Sequence, residues 1–209
     1  MPWDGEPVPY GHFVSGSIPN SSFLIPNFAV RQRREQAPAL YAWLTGGGLL
    51  TPKIMLQYPQ RKAGFFMIKI LFVCHGNICR SPMGEFILKD MVKKAGRQAD
   101  FDIASAATSR EELGNPVYPP ARRELAKHGI SCAGKTARQV TLEDYRYYDR
   151  IYYMDRNNAR NLARMLPADP EKIRPLLPWD VADPWYTGDF TKTWEDIFLG
   201  CQKIMEEFL

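Results

Sequence analysis

Ile68-Lys69-Ile70-Leu71-Phe72-Val73-Cys74-His75-Gly76-Asn77-Ile78-Cys79-Arg80-Ser81-Pro82 is the stretch whose reading decides the fold. Ile68–Val73 is a β-branched, mostly apolar run of the kind buried in a sheet. Ser81-Pro82 opens a helix, because proline is tolerated in the first turn. Between them, Cys74 and Arg80 are separated by five residues. Such a turn forms an anion cradle: its backbone N–H groups point inward, Gly76 permits the tight bend, and the helix N-terminus adds its positive end. Arg80 supplies a planar fork of donors suited to phosphate oxygens. A cysteine in that field is expected to act as a thiolate, a good nucleophile toward phosphorus, so a covalent phosphocysteine is chemically reasonable.

Outward from this stretch the chain alternates strand and helix. Phe86, Ile87, Leu88, Met91, Val92 and Ala95 give the first helix a wide apolar face, and Gly96 stops it. Residues 101–107 read as a strand, 120–128 as a helix ended by Gly129, and Thr141 as the N-cap of another helix. Residues 150–154 read as a third strand and 157–166 as a helix. The Pro-interrupted run 173–177 reads as an edge strand. In 191–209, Trp194, Ile197, Phe198, Cys201, Met205 and Phe208 share one helix face. The expected fold is α/β: a four-stranded parallel sheet with helices on both faces and a phosphate-binding loop after the first strand. Ligand sites in such sheets lie at the carboxyl ends of the strands.

The 209 residues suffice for one core with an appendage. Net charge is +4, too small a surplus to argue for nucleic acid, and four cysteines do not make a disulfide scaffold, which points to a reducing compartment. No run approaches a membrane span, and the N-terminus lacks a signal-peptide pattern. Residues 1–66 hold 7 of the 15 Gly and 8 of the 17 Pro without sustained periodicity. They are expected to be a disordered N-terminal extension, or sequence upstream of a natural start at Met67, with residues 67–209 the functional domain.

The loop resembles the signature of the low-molecular-weight protein tyrosine phosphatases, Cys-x-Gly-Asn-x-Cys-Arg-Ser-Pro. The resemblance runs through residues 67–209, including His128-Gly129-Ile130, Ala137-Arg138-Gln139-Val140, Met154-Asp155 and Asp183-Pro184-Trp185-Tyr186. It implies a cytoplasmic, monomeric enzyme that hydrolyses protein phosphotyrosine, with no cofactor or metal and no nucleic-acid or membrane partner. By position it implies Cys74 as nucleophile, Arg80 as phosphate clamp and Asp183 as general acid. The residues His75, Gly76, Asn77, Ile78, Cys79 and Arg80 would form the phosphate cradle. Asn77 would hold the loop with His128 as its hydrogen-bonded support, and Ser81 would donate to the thiolate while capping the helix. The substrate cleft would be lined by Ile78, Glu111, Trp185 and Tyr186. Glu111 stands where an aromatic wall is expected in the family.

Other readings carry less. His75 beside Cys74 suggests a Cys-His protease, but adjacent residues point apart. Cys74, Cys79, His128 and Cys132 have no metal-site spacing. Cys132 and Cys201 do not form the relay an arsenate reductase of related fold would need, and Cys201 reads as core. Arg156, Arg160 and Arg164 read as a solvated helix face, and Tyr147-Tyr148 and Tyr152-Tyr153 as packing aromatics. A protein arginine phosphatase shares the loop, yet a polar residue at position 78 would suit a guanidinium better than Ile78. A non-catalytic phosphate-binding module would not need Cys74, Arg80 and Asp183 together. Cys79, five residues after Cys74, is expected to capture an oxidised Cys74 as a disulfide.

Overall fold

The computed structural model describes residues 67–209. The expectations for residues 1–66 lie outside the described residues. Four strands, β1 (Ile68–Cys74), β2 (Phe101–Ala107), β3 (Arg150–Tyr153) and β4 (Ile173–Pro175), form one parallel sheet in the order β2-β1-β3-β4. The helices are α1 (Arg80–Lys94), α2 (Pro119–Lys127), α3 (Leu142–Tyr147), α4 (Arg156–Met165), α5 (Pro184–Thr187) and α6 (Phe190–Phe208).

The alternation of β1 explains why both faces are covered. Ile70, Phe72 and Cys74 point into one core with α1, α2 and α6, where Met83, Ile87, Leu125, Trp194, Ile197 and Cys201 pack. Leu71 and Val73 point into the other, with Ile151 of β3, Leu162 of α4 and the flanking Tyr148. Period-two geometry thus buries a continuous apolar strand from both sides. Gly84 lets α1 approach β1 closely, since a Cβ there would come within 2.8 Å of the Phe72 ring.

Local chemistry sets the boundaries. Thr141 forms a capping box with Asp144 at the start of α3. Asp155 caps α4 one residue earlier than the apolar pattern suggests, accepting from the Asn158 N–H. Strand β4 is an edge strand, as its proline pattern predicts, but shorter than 173–177. Beyond Pro175 one bond continues, from the Leu176 N–H to the Tyr153 carbonyl at 2.9 Å, and the buried Leu176 and Leu177 turn into the α6 core. The segment after Trp179 contains the short helix α5, capped by Asp183 with Pro184 at its start.

Candidate active site

The loop joining β1 to α1 lies at the carboxyl end of the central strand β1, between the ends of β2 and β3. Its shape depends on Asn77, whose φ of 58° is unusual for a residue with a Cβ. That residue is buried, and its whole side chain is bonded. The Nδ2 group donates to Ser81 Oγ (2.9 Å) and Ser105 Oγ (2.8 Å), while Oδ1 accepts from the Arg138 N–H (3.2 Å). The Asn77 backbone N–H donates to Cys74 Sγ (3.3 Å), and Ser81 Oγ lies 3.0 Å from the same sulfur. Two polar groups therefore converge on the sulfur of a buried cysteine. Helix α1 also leaves its first-turn N–H groups, including those of Arg80 and Ser81, without intrahelical partners.

Behind the loop runs a buried polar chain. Ser105 Oγ donates to Glu85 (2.6 Å), so it accepts from Asn77 and fixes the direction of that bond. Glu85 is paired with Lys135 (2.9 Å) and Lys89 (2.5 Å). Burial opposes the Glu85 charge, but Lys135, Lys89 and Ser105 outweigh it and hold the carboxyl below its ordinary range. Lys135 Nζ also donates to the Ser105 carbonyl at 3.0 Å.

His128 does not give Asn77 the support that the resemblance implies. His128 stacks on Trp194 with ring centroids 3.7 Å apart and lies 3.6 Å from Glu124, at the end of α2. The partners of Asn77 are instead Ser81, Ser105, Cys74 and Arg138. Ser81 does not cap the helix as the resemblance implies. The N-cap of α1 is Cys79, without a side-chain capping bond, because Ser81 lies inside the helix and its hydroxyl reaches Cys74 and the Ala106 carbonyl.

Arg80 is the electrostatic centre. Its side chain is only 3% exposed. Nη1 donates to Asp155 (2.5 Å) and the Val181 carbonyl (3.0 Å), and Nη2 to Asp183 (2.5 Å). Burial works against its charge, yet Cys74, Asp183 and Asp155 prevail and raise its pKa above the ordinary value. Each carboxylate uses its second oxygen to cap a helix: Asp155 accepts from Asn158 N–H (2.7 Å) and Asp183 from Trp185 N–H (3.1 Å). The helix starts thereby aim both acids at Arg80. Asp155, at the end of β3, was not singled out for a role by the sequence reading, although the carboxyl-end rule for parallel sheets points to it.

The flanks are unlike one another. Ile78 is buried, and its carbonyl accepts from the Tyr118 N–H at 2.8 Å. The Tyr118 ring sits 5.2 Å from that of Trp185, giving an aromatic wall of which sequence reasoning named only Trp185. Tyr186 is 84% exposed. Glu111 lies across the loop's other flank, 2.9 Å from His75 Nε2. Glu112 packs against Gly76, where a Cβ would meet its Cγ at 3.1 Å. Cys79 is buried, and burial first, then the neighbouring Cys74 and Asp183, push its thiol well above the ordinary value. Cys132 and Cys201 are also buried and free.

A strand–cradle–helix with a cysteine, a buried arginine and a carboxylate on that arginine defines a phosphoryl-transfer site. The family model described as low molecular weight phosphotyrosine protein phosphatase matches residues 69–208, and the chain belongs to that family. It is 37% identical over 147 residues to low molecular weight protein-tyrosine-phosphatase YfkJ of Bacillus subtilis, covering 66% of this chain and 94% of the relative. The human low molecular weight phosphotyrosine protein phosphatase is 34% identical over 149 residues, covering 67% and 92%. The crystal structure of the Bacillus subtilis YfkJ protein superposes with a TM-score of 0.65 at 36% identity, covering 70% of this chain and 96% of that one. The Streptococcus pyogenes low molecular weight protein tyrosine phosphatase gives 0.62 at 36% identity, covering 68% and 94%.

Proposed function

We propose that this phosphatase hydrolyses phosphotyrosine in proteins by a two-step transfer through Cys74. The phosphoryl group enters the cradle of residues 75–80, and its oxygens take the donors of Arg80 and the loop N–H groups. Cys74 attacks phosphorus while Asp183 gives a proton to the departing phenolate. Water then attacks the phosphocysteine, Asp183 takes its proton, and phosphate leaves. The observation that carries this reading is that one guanidinium, Arg80, holds Asp183 at 2.5 Å and shares its loop with Cys74. The site is complete within one chain, which supports action as a monomer. The four free cysteines suit a reducing compartment such as the cytoplasm.

Ile78 and the Tyr118–Trp185 wall favour an aromatic leaving group over a guanidinium. Turnover of otherwise identical phosphotyrosine, phosphoserine and phosphoarginine peptides tests this. The phosphotyrosine peptide is expected to give the highest kcat/KM, and a preference for phosphoarginine would overturn the substrate assignment.

Residues 67–209 are proposed as the self-sufficient domain. A chain shortened to begin at Met67 is expected to keep its melting temperature and turnover, because both cores and every candidate site residue lie within 67–209. A large fall in either quantity would place residues 1–66 in the working fold.

Cys79 is proposed as the partner that rescues Cys74 from oxidation. Peroxide oxidises Cys74 to a sulfenic acid and is reduced to water; the Cys79 thiolate attacks that sulfur, forming the disulfide and expelling hydroxide, which takes a proton from solvent. Because the Cys79 thiol is raised by burial, its thiolate fraction grows as pH rises, so capture should quicken with pH. After peroxide and then dithiothreitol, the wild type should regain most activity, and more at higher pH. Cys79→Ser should regain less at every pH. Equal recovery in the two proteins would leave Cys79 with a packing role only.

A further inference from the structure

Helix α4 carries Arg156, Arg160 and Arg164 on its exposed side and contains no acidic residue. It begins at the lip of the cradle, because the residue before it, Asp155, is paired with Arg80. Its charges are poorly neutralised. Arg156 lies 3.8 Å from Asp180 with 88% of its side chain exposed, a contact of little strength in water. Arg160 bonds the neutral side chain of Asn157, and Arg164 has no acidic partner among the described residues.

The opposite lip has the opposite sign. Strands β2 and β3 flank β1 on its two sides, so the segment after β2 and the start of α4 lie on different sides of the loop. The segment after β2 brings Glu111 to His75 and Glu112 against Gly76. Glu111 and Glu112 outnumber the exposed Arg110 on that lip, so a peptide held by its phosphoryl group in the cradle meets a net acidic side and a net basic one.

Spacing sharpens the match. Arginines four residues apart on a helix are about 6 Å apart along its axis. Two residues of an extended peptide span about 6.7 Å. We propose that the Arg156–Arg160–Arg164 row binds acidic side chains at alternate positions on one side of the phosphorylated residue, so that the favoured substrates are phosphopeptides with a one-sided acidic flank. This rests on the phosphotyrosine reading above. Exposed charges at a rim act chiefly on encounter and specificity, so the effect falls on kcat/KM and fades with salt.

The test uses the full chain and three phosphotyrosine peptides: one with Asp at alternate positions before the phosphotyrosine, one with Asp after it, and one with Asn at both. Each is assayed at low salt and at about 0.5 M NaCl, where screening is short-ranged, beside p-nitrophenyl phosphate. One acidic peptide is expected to exceed the Asn peptide by about threefold to tenfold at low salt, as two or three exposed pairs would give, and to lose that lead at high salt. The combined substitution Arg156→Gln, Arg160→Gln, Arg164→Gln should abolish the lead while leaving p-nitrophenyl phosphate turnover unchanged. Equal rates for all three peptides with the wild type, or a lead that survives high salt or the substitution, overturns the proposal while phosphotyrosine turnover still stands. Absence of turnover on every phosphotyrosine peptide overturns the underlying reading as well. The peptide and salt comparisons need only the wild type, so they decide even if the variant fails to fold.

Discussion

Cys74→Ser is expected to lower turnover of p-nitrophenyl phosphate by about 10⁴-fold or more, the scale of losing the nucleophile from a covalent mechanism. Binding of inorganic phosphate should survive. Arg80 is anchored by Asp155, Asp183 and the Val181 carbonyl, none of which depends on the sulfur. Asn77 keeps the loop shape through Ser105, Ser81 and Arg138. Calorimetric titration with phosphate beside a turnover assay separates the two effects. Substantial turnover in Cys74→Ser would remove the phosphocysteine from the mechanism, and loss of phosphate binding would show that the thiol itself shapes the cradle.

Asp183→Asn should slow hydrolysis of phenyl phosphate by about 10²- to 10⁴-fold, the worth of a positioned acid. The amide can still accept the Trp185 N–H and cap α5, so the substitution removes the proton more than the fold. The loss should shrink as the leaving phenol becomes more acidic, since a stable phenolate needs no proton. Asp180 is the internal control. It lies three residues earlier in the same loop, is half-exposed and, among the described residues, forms its hydrogen bond and ion pair with Arg156, so Asp180→Asn should change little. A loss for Asp183→Asn that is independent of leaving group would assign this carboxylate to holding Arg80, not to proton transfer.

What could be read in the chain divides along physical lines. The loop and sheet were legible because they are local: an apolar run, a glycine, a Ser-Pro helix start and alternating periodicities each fix the backbone over a few residues. The polar chain behind the loop was not. Ser105, Glu85 and Lys135 come from β2, α1 and the segment before Arg138, and only the packed sheet brings them together. Glu85 did leave a signal, since it falls four residues after Ser81 and three before Leu88, a carboxylate on the buried side of α1. Lys135 leaves none, and the resemblance assigns the support of Asn77 to His128. His128 instead serves α2 and α6, where the end of a helix and the Trp194 ring both suit an imidazole. Asp155 was quoted as part of a motif, but its role needs the arginine that the fold places beside it.

The central claim is that the phosphoryl group passes through Cys74, and the most direct test is to catch it there. Wild-type enzyme turning over p-nitrophenyl phosphate is quenched by denaturation, digested and examined by mass spectrometry. The account predicts a phosphoryl adduct on the peptide containing Cys74, absent from the Cys74→Ser protein. A phosphoryl adduct on another residue, or turnover with no adduct on Cys74 at any quench time, would contradict it.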